Sequence, residues 1–181
     1  MQNKGTNMNQ TIAVILIAGL FGTVNAQAEA PKKAKSPVTV TTQSYQQMPK
    51  RNKKGKIVKD KKGKPILVWV KATKVVPGTV VRYVDTVSNH TDKAMEGLAI
   101  KNPINPHLIY VAGSATSETN ATITYSVDGG KHFDVPEKLY VTGLNKKKHR
   151  AQPKEYNAIQ WTIASVPAQS ETTVAFKAKL K

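Results

Sequence analysis

The feature that most constrains this chain is a series of short segments in which apolar and polar residues alternate between turn residues. The clearest starts after Pro77-Gly78 and ends at Asn89, with Val81, Tyr83 and Val87 two or four residues apart. Residues spaced by two lie on one face of a strand, so this pattern predicts a half-buried β-strand. Because helix signals are nearly absent and Thr and Val are abundant, we expect an all-β protein.

Similar segments follow along the chain. Strands are predicted over residues 38–42, 66–70, 94–100, 108–111, 121–127, 139–141, 159–163 and 174–180. Residues 66–70 are apolar throughout and are interpreted as a core strand. Residues 102–106 and 143–155 are expected to form loops, the second of them basic. Seven to nine short strands separated by turns fit a Greek-key β-sandwich of two sheets.

Several of these segments also carry a family resemblance. They are the Pro77-Gly78 turn with its strand, Tyr110-Val111-Ala112-Gly113-Ser114, Tyr125-Ser126-Val127-Asp128-Gly129-Gly130-Lys131, the lone Trp161, and Pro167 before the last strand. Together they resemble a bacterial surface-repeat domain of unknown function. The resemblance covers residues 64–181 and implies an immunoglobulin-like fold on secreted or cell-surface proteins, without a reaction. Asp85 departs from the family pattern, which usually has an apolar residue there.

The N-terminus has the features of a secretory signal. A weakly basic start at Lys4 precedes an apolar stretch over residues 11–24 and the small residues Val24-Asn25-Ala26. About 20 apolar residues are needed to span a bilayer, so this shorter stretch favours a signal peptide over residues 1–26. Cleavage after Ala28 and an uncleaved anchor are the alternatives. We expect export to the periplasm, the cell surface or the exterior, with no transmembrane anchor after cleavage.

Positive charge is concentrated in the first part of the exported chain. The formal net charge is +17, and residues 31–74 hold fourteen Lys or Arg but one acid, Asp60. Lys53-Lys54-Gly55-Lys56 recurs eight residues later as Lys61-Lys62-Gly63-Lys64. Glycine within a Lys-rich segment suggests turns, and a β-ribbon joined at Asp60-Lys61-Lys62-Gly63 is the hypothesis. The predicted organisation is a basic flexible extension over residues 27–64, with one or two strands, followed by the sandwich over residues 65–181.

Clustered Lys and Arg side chains attract polyanions by releasing counterions. The candidate polyanion-binding residues are Lys50, Arg51, Lys53, Lys54, Lys56, Lys59, Lys61, Lys62, Lys64, Lys146, Lys147, Lys148 and Arg150. Anionic envelope polysaccharide, lipopolysaccharide, teichoic acid and extracellular DNA are the expected partners of an exported chain. Only Tyr45 lies near the first cluster as a stacking aromatic, which argues against sequence-specific nucleic-acid binding. The alternative is a solvated ribbon that only keeps the protein soluble.

No catalytic motif emerges. The chain lacks cysteine, which excludes disulfides, a lipid anchor on cysteine and thiolate metal sites, and no serine lies in a Gly-x-Ser-x-Gly sequence. Loop histidines explain the sequence better than a metal site from His107 and His132, and a hairpin turn explains residues 128–130 better than a calcium loop. We expect no enzyme activity, no cofactor, no metal and no small-molecule substrate.

Asp85 remains notable because a carboxylate facing a core needs a partner. An isopeptide bond is one hypothesis, with Lys71 or Lys74 joined to Asp85 or Asn157. The simpler interpretation is that Asp85 forms an ordinary ion pair or stays exposed to solvent at the edge of the sandwich. The sequence thus favours an exported structural or adhesive protein that attaches to anionic polymers. The alternative is a subunit or accessory of a larger surface assembly, which contacts other surface proteins through its sheet edges.

Overall fold

The computed structural model describes Val14–Ile15, residues 36–143 and residues 146–181. The predicted cleavage site at Ala26 and most of the predicted signal peptide lie outside these residues. Strands dominate, and the only helical elements in the described part are two single 3-10 turns, Pro136–Lys138 and Pro153–Glu155. The predicted all-β class is confirmed. None of the described segments is a helix long and apolar enough to cross a bilayer.

The strands form three sheets. In chain order they are β1 (Val14–Ile15), β2 (Val38–Pro49), β3 (Leu67–Lys71), β4 (Val80–Asn89), β5 (Met95–Pro103), β6 (Leu108–Tyr110), β7 (Thr116–Ser117), β8 (Ala121–Ser126), β9 (Tyr140–Thr142), β10 (Lys148–Arg150), β11 (Ala158–Val166) and β12 (Glu171–Leu180). The larger sheet has the order β3-β2-β4-β12-β6, with β7 also beside β12. The smaller sheet has the order β1-β5-β11-β8, and β9 pairs with β10.

The larger and smaller sheets share one hydrophobic core. Ile159, Trp161 and Ile163 of β11 are completely buried, as their alternation predicts. Across from them, Phe176 of β12 approaches Trp161 with ring centroids 6.2 Å apart. Each such side chain stabilises the fold by roughly 1.5–3 kcal/mol through burial. The two sheets are therefore held together by side-chain packing, while the immunoglobulin-like Greek-key topology stays a prediction.

Asn89 ends β4 by tying three parts of the chain together. Its amide nitrogen donates to the carbonyl oxygens of Lys93, Val166 and Pro167 at 2.8, 3.1 and 2.9 Å. Its amide oxygen accepts hydrogen bonds from the backbone and side chain of Thr91. A buried amide with all of these partners fixes the turn after β4 against the end of β11.

β2 is a long strand of the larger sheet. It lies antiparallel to β4, with Val38 opposite Asn89 and Gln46 opposite Val81, and its far end pairs with β3. Val38 is only 5% exposed and belongs to the shared core. The strand predicted over residues 38–42 is confirmed and extends seven residues further, to Pro49. Alternation fades over those residues because both faces carry polar side chains.

Three sequence predictions need correction. β3 is an edge strand instead of a core strand, since Leu67 is 50% exposed and β2 is the one described strand with which β3 pairs. The predicted basic loop over residues 143–155 contains β10 and a 3-10 turn. β5 continues to Pro103, in the region predicted as a loop, because a proline is tolerated at a strand end.

Candidate functional site

The most basic surface of the molecule is the connection between β2 and β3. We call residues 50–66 the basic ribbon. All nine of its predicted cationic residues are exposed. They are Lys50, Arg51, Lys53, Lys54, Lys56, Lys59, Lys61, Lys62 and Lys64. The ribbon therefore presents its charges to solvent.

The first turn of the ribbon is organised by Asn52. Its side-chain oxygen accepts hydrogen bonds from the backbone nitrogens of Lys54 and Lys56, both at 3.0 Å. Gly55 has φ of +75°, a conformation that costs little only without a Cβ atom. Arg51 donates from Nη1 to the carbonyl oxygen of Gly55 at 2.7 Å. Asn52, Gly55 and Arg51 thus fix the backbone of this turn, and the lysine side chains extend into solvent.

The second turn repeats this arrangement eight residues later. The Asp60 carboxylate accepts from the backbone nitrogens of Lys62 and Lys64, at 2.8 and 2.9 Å. Gly63 has φ of +77°, close to the value at Gly55. The recurrent Lys-Lys-Gly-Lys sequence therefore encodes two turns of the same design, each opened by an Asn or Asp that bonds to the backbone ahead of it.

A cycle of backbone hydrogen bonds joins the two turns. The nitrogen of Lys50 donates to Ile66, that of Val58 donates to Lys50, and that of Ile66 donates to Val58, at 2.7, 2.8 and 3.0 Å. The three participating residues are again spaced by eight. Isolated bridges between Arg51 and Ile57 and between Lys59 and Pro65 flank the cycle. The ribbon joint predicted at residues 60–63 is a turn in the structure, and residues 52–55 form a second turn of the same design.

Electrostatic compensation within the ribbon is weak. Its single carboxylate, Asp60, faces nine cations and is occupied by backbone donors. Among the described residues, the two ion pairs both involve histidine and lie elsewhere, at His132 and His149. The eight lysine ammonium groups of the ribbon are consequently available to an anion from outside.

The second predicted cluster occupies a different hairpin. Exposed cationic side chains lie on β10 and just before it, and β9 is the one described strand that pairs with β10. They are Lys146, Lys147, Lys148 and Arg150. The Lys148 ammonium lies 5.0 Å from the centroid of the Tyr140 ring, a cation–π contact. No strand pairing in the described part of the chain joins this hairpin to the ribbon. The predicted residues therefore lie on two different parts of the fold, the ribbon and the β9–β10 hairpin.

Asp85 is buried on the inner face of the larger sheet and is only 1% exposed. Its carboxylate accepts hydrogen bonds from Thr42 Oγ1 at 2.6 Å and from Asn102 Nδ2 at 2.8 Å. Burial raises the pKa of this carboxyl group, and the two hydrogen bonds partly oppose the rise. An isopeptide bond from Lys71 does not fit, because Lys71 lies opposite Tyr45, on the outer face of the sheet.

The remaining candidates have structural roles. The Asp128 carboxylate accepts hydrogen bonds from the backbone nitrogen and ring of His132 and from Ser126, which hold its pKa well below the usual range. Asn157, considered for an isopeptide bond, accepts from the backbone of Gly129 in the same turn. The backbone of His107 donates to the side chain of Asn105. Within the described ranges, no three His, Asp or Glu side chains gather as metal ligands would.

Sequence reasoning missed one group of residues. Tyr45, Trp69, Arg82 and Lys177 come from four strands and share the outer face of the larger sheet. Lys177 lies between the buried residues Phe176 and Ala178 of β12, but only the strand register reveals which residues lie beside it on the outer face. Comparison with family models, curated proteins and solved structures finds no match to this chain.

Proposed function

We propose that this protein is an exported, non-enzymatic protein of the cell envelope that attaches to anionic polymers through the basic ribbon. The observation that carries the proposal is the repeated turn. Two copies of one backbone design present lysines outward, and neither copy uses them for the fold. A basic segment that served only solubility would not need its turns fixed by side chains.

The physical basis of binding is counterion release. A protein that neutralises several anionic groups of a polymer releases the counterions condensed there, and its affinity falls steeply with salt. Because the ribbon backbone is already ordered by the hydrogen-bond cycle, binding orders only the lysine side chains. This pre-organisation favours attachment over a disordered basic tail of equal charge.

The location rests on the sequence. The predicted signal peptide and the resemblance to surface-repeat domains of immunoglobulin-like fold both agree with an exported protein. Anionic polysaccharide, lipopolysaccharide and teichoic acid are abundant polyanions outside the bacterial cytoplasm. We therefore place the partner in the envelope or on the cell surface.

A second function is favoured by the exposed edge at β3. Within the described part of the chain β3 pairs on one side only, and its first residue Leu67 and the preceding Ile66 are 50% and 38% exposed. An unpaired strand edge with apolar side chains can accept a strand from another protein. Assembly through this edge would give oligomers that persist at high salt.

The direct test compares two variants of equal charge. One replaces Lys53, Lys54, Lys61 and Lys62 by Gln, and the control replaces the exposed Lys93, Lys131, Lys138 and Lys154 by Gln. Retention on immobilised acidic polysaccharide, lipopolysaccharide and DNA is measured at low salt. We expect at least a tenfold loss of affinity for the ribbon variant and less than a threefold loss for the control. Equal losses would show that general charge, and not the ribbon, determines binding.

A further inference from the structure

We infer that the outer face of the larger sheet is a second binding site, which takes an acidic polysaccharide by contacting sugar rings and acidic groups together. The inference rests on the proposed function, since it names the class of anionic polymer that the protein holds. The face combines cations and aromatic rings, a combination that the ribbon lacks.

The register of the larger sheet builds a row across four strands. Lys71 of β3 lies opposite Tyr45 of β2, Tyr45 lies opposite Arg82 of β4, and Arg82 lies opposite Lys177 of β12. Directly paired residues of antiparallel strands project from the same face. With strands about 4.8 Å apart, the row is about 14 Å long. Four residues distant in sequence thus form one continuous strip.

Trp69 lies on the same face beside this row, so we count it as part of the strip, which then holds two aromatic rings, Tyr45 and Trp69. Trp69, two residues before Lys71, is partly exposed, and the Lys177 ammonium lies 5.7 Å from the centroid of its ring. The Tyr45 hydroxyl donates to Gln43 Oε1 at 2.6 Å. Both rings are therefore held in place on the sheet before any ligand binds.

Among the residues that the structure describes, no ion pair joins the charges of the strip to an acidic side chain. Arg82 and Lys177 are directly opposed cations, an arrangement that destabilises an antiparallel pair. The nearest carboxylate on the same face of β12 is that of Glu171, six residues and about 20 Å along the strand from Lys177. Glu171 is occupied by Ser88, which donates a hydrogen bond at 2.6 Å. A bound carboxylate or sulfate group would offset the repulsion between Arg82 and Lys177.

The chemistry of the strip selects an acidic polysaccharide. The apolar faces of sugar rings pack on flat aromatic side chains, and a guanidinium group binds a carboxylate or sulfate through paired hydrogen bonds. Fixed alternation of ring and charge matches a polymer of acidic sugars. A polyphosphate would offer charge without rings, and a neutral polysaccharide would offer rings without charge.

The strip and the basic ribbon are continuous through the chain. β2 carries Tyr45 and runs directly into the ribbon, and the ribbon returns directly into β3, which carries Trp69 and Lys71. A polymer long enough to reach both surfaces gains affinity because its second contact is intramolecular. Short acidic oligosaccharides, by contrast, are expected to reveal the strip by itself.

The sequence supplies a built-in reporter for the test. Its two tryptophans are Trp69, which is partly exposed on the strip, and Trp161, which is fully buried. Tryptophan emission of the full exported chain is followed during titration with short uronic-acid oligosaccharides. We expect a saturable change that Trp69→Phe abolishes, with a loss of affinity of about tenfold in Arg82→Gln. Calorimetry measures affinity where the optical signal is absent.

Controls separate this inference from the proposed function. The ribbon variant with four Lys→Gln changes should keep the tryptophan response to the short oligosaccharide, while neutral dextran and polyphosphate should leave it unchanged. An unchanged emission, or full affinity in Arg82→Gln, would overturn the strip and leave the ribbon intact. A stronger response to single-stranded DNA would overturn the ligand class. Absence of any polyanion binding would defeat the proposed function itself.

Discussion

Different interactions stabilise the basic ribbon and the core between the larger and the smaller sheet. In the ribbon, backbone hydrogen bonds and two Asn or Asp side chains fix the chain, and nearly every other side chain is exposed. In the core, Trp161, Ile159 and Phe176 hold the sheets together by burial. Stability and binding therefore depend on different residues, and substitutions should separate the two properties cleanly.

The largest expected effect comes from the core. Trp161→Ala removes a completely buried indole and should lower the free energy of unfolding by about 3–5 kcal/mol. Trp69→Ala, on the outer face of the larger sheet, is the matched control and should cost less than about 1 kcal/mol. Chemical denaturation of both variants measures the difference. Similar losses in the two variants would contradict the assignment of Trp161 to the core.

The next effect concerns the turn after β4. Asn89→Ala removes an amide that serves three carbonyl oxygens and the side chain of Thr91. We expect a loss of about 2–3 kcal/mol, since buried groups lose their partners. Asn89→Asp keeps the acceptor and removes the donors, so it should be equally damaging at neutral pH. An unchanged free energy of unfolding in either variant would show that other contacts hold the turn.

A smaller effect, dependent on pH, is expected at Asp85. Burial raises the pKa of its carboxyl group in the folded protein above the unfolded value of about 3.9. The stabilising contribution of this group is thus complete below the unfolded pKa and is lost as the pH rises through the folded pKa. Asp85→Asn should therefore gain stability relative to the parent protein as the pH is raised from 3 to 7.

Denaturation curves at several pH values test this expectation, with Glu96→Gln as a control for loss of an exposed negative charge. The side-chain amide introduced by Asp85→Asn can keep the hydrogen bond from Thr42 through its oxygen, and Asn102 can turn its own amide to accept from the new nitrogen. A stability difference that stays constant between pH 3 and 7 would show that Asp85 does not titrate in a buried environment.

The smallest global effect should come from the ribbon. Gly55→Ala and Gly63→Ala place a Cβ atom at positive φ, which costs about 1 kcal/mol at each turn. Because the ribbon packs little against the core, we expect the melting temperature to change by less than about 3 °C. Limited proteolysis at the ribbon lysines should nonetheless accelerate. A large fall in melting temperature would show that the ribbon belongs to the cooperative core.

Local sequence patterns predicted much of the fold and part of the site. Alternation identified the buried faces of β4, β11 and β12, and the repeated Lys-Lys-Gly-Lys sequence indicated the turn at residues 60–63 that joins the ribbon. These patterns could not distinguish an edge strand from a central one. A continuous apolar run such as residues 66–70 does not alternate, so the sequence does not show which of its side chains are exposed. That distinction, like the row formed by Tyr45, Arg82 and Lys177, depends on strand register.

The predicted contact residues show the same limit. Both basic clusters were visible in the sequence, but their separation onto the ribbon and the β9–β10 hairpin was not. The role of Arg51 was also hidden, since its charge suggested a ligand contact while its guanidinium group bonds to Gly55 within the turn. Charge alone identifies a candidate surface, and backbone geometry decides which of its residues are available.

The most direct measurement of the central claim is the salt dependence of binding to a long acidic polysaccharide. The parent protein, the ribbon variant with four Lys→Gln changes and the control of equal charge are compared between about 50 and 300 mM salt, a range set by the expected counterion effect. We predict that the slope of log affinity against log salt decreases by about 3 in the ribbon variant and by less than about 1 in the control. Equal slopes for all three proteins would contradict attachment through the ribbon.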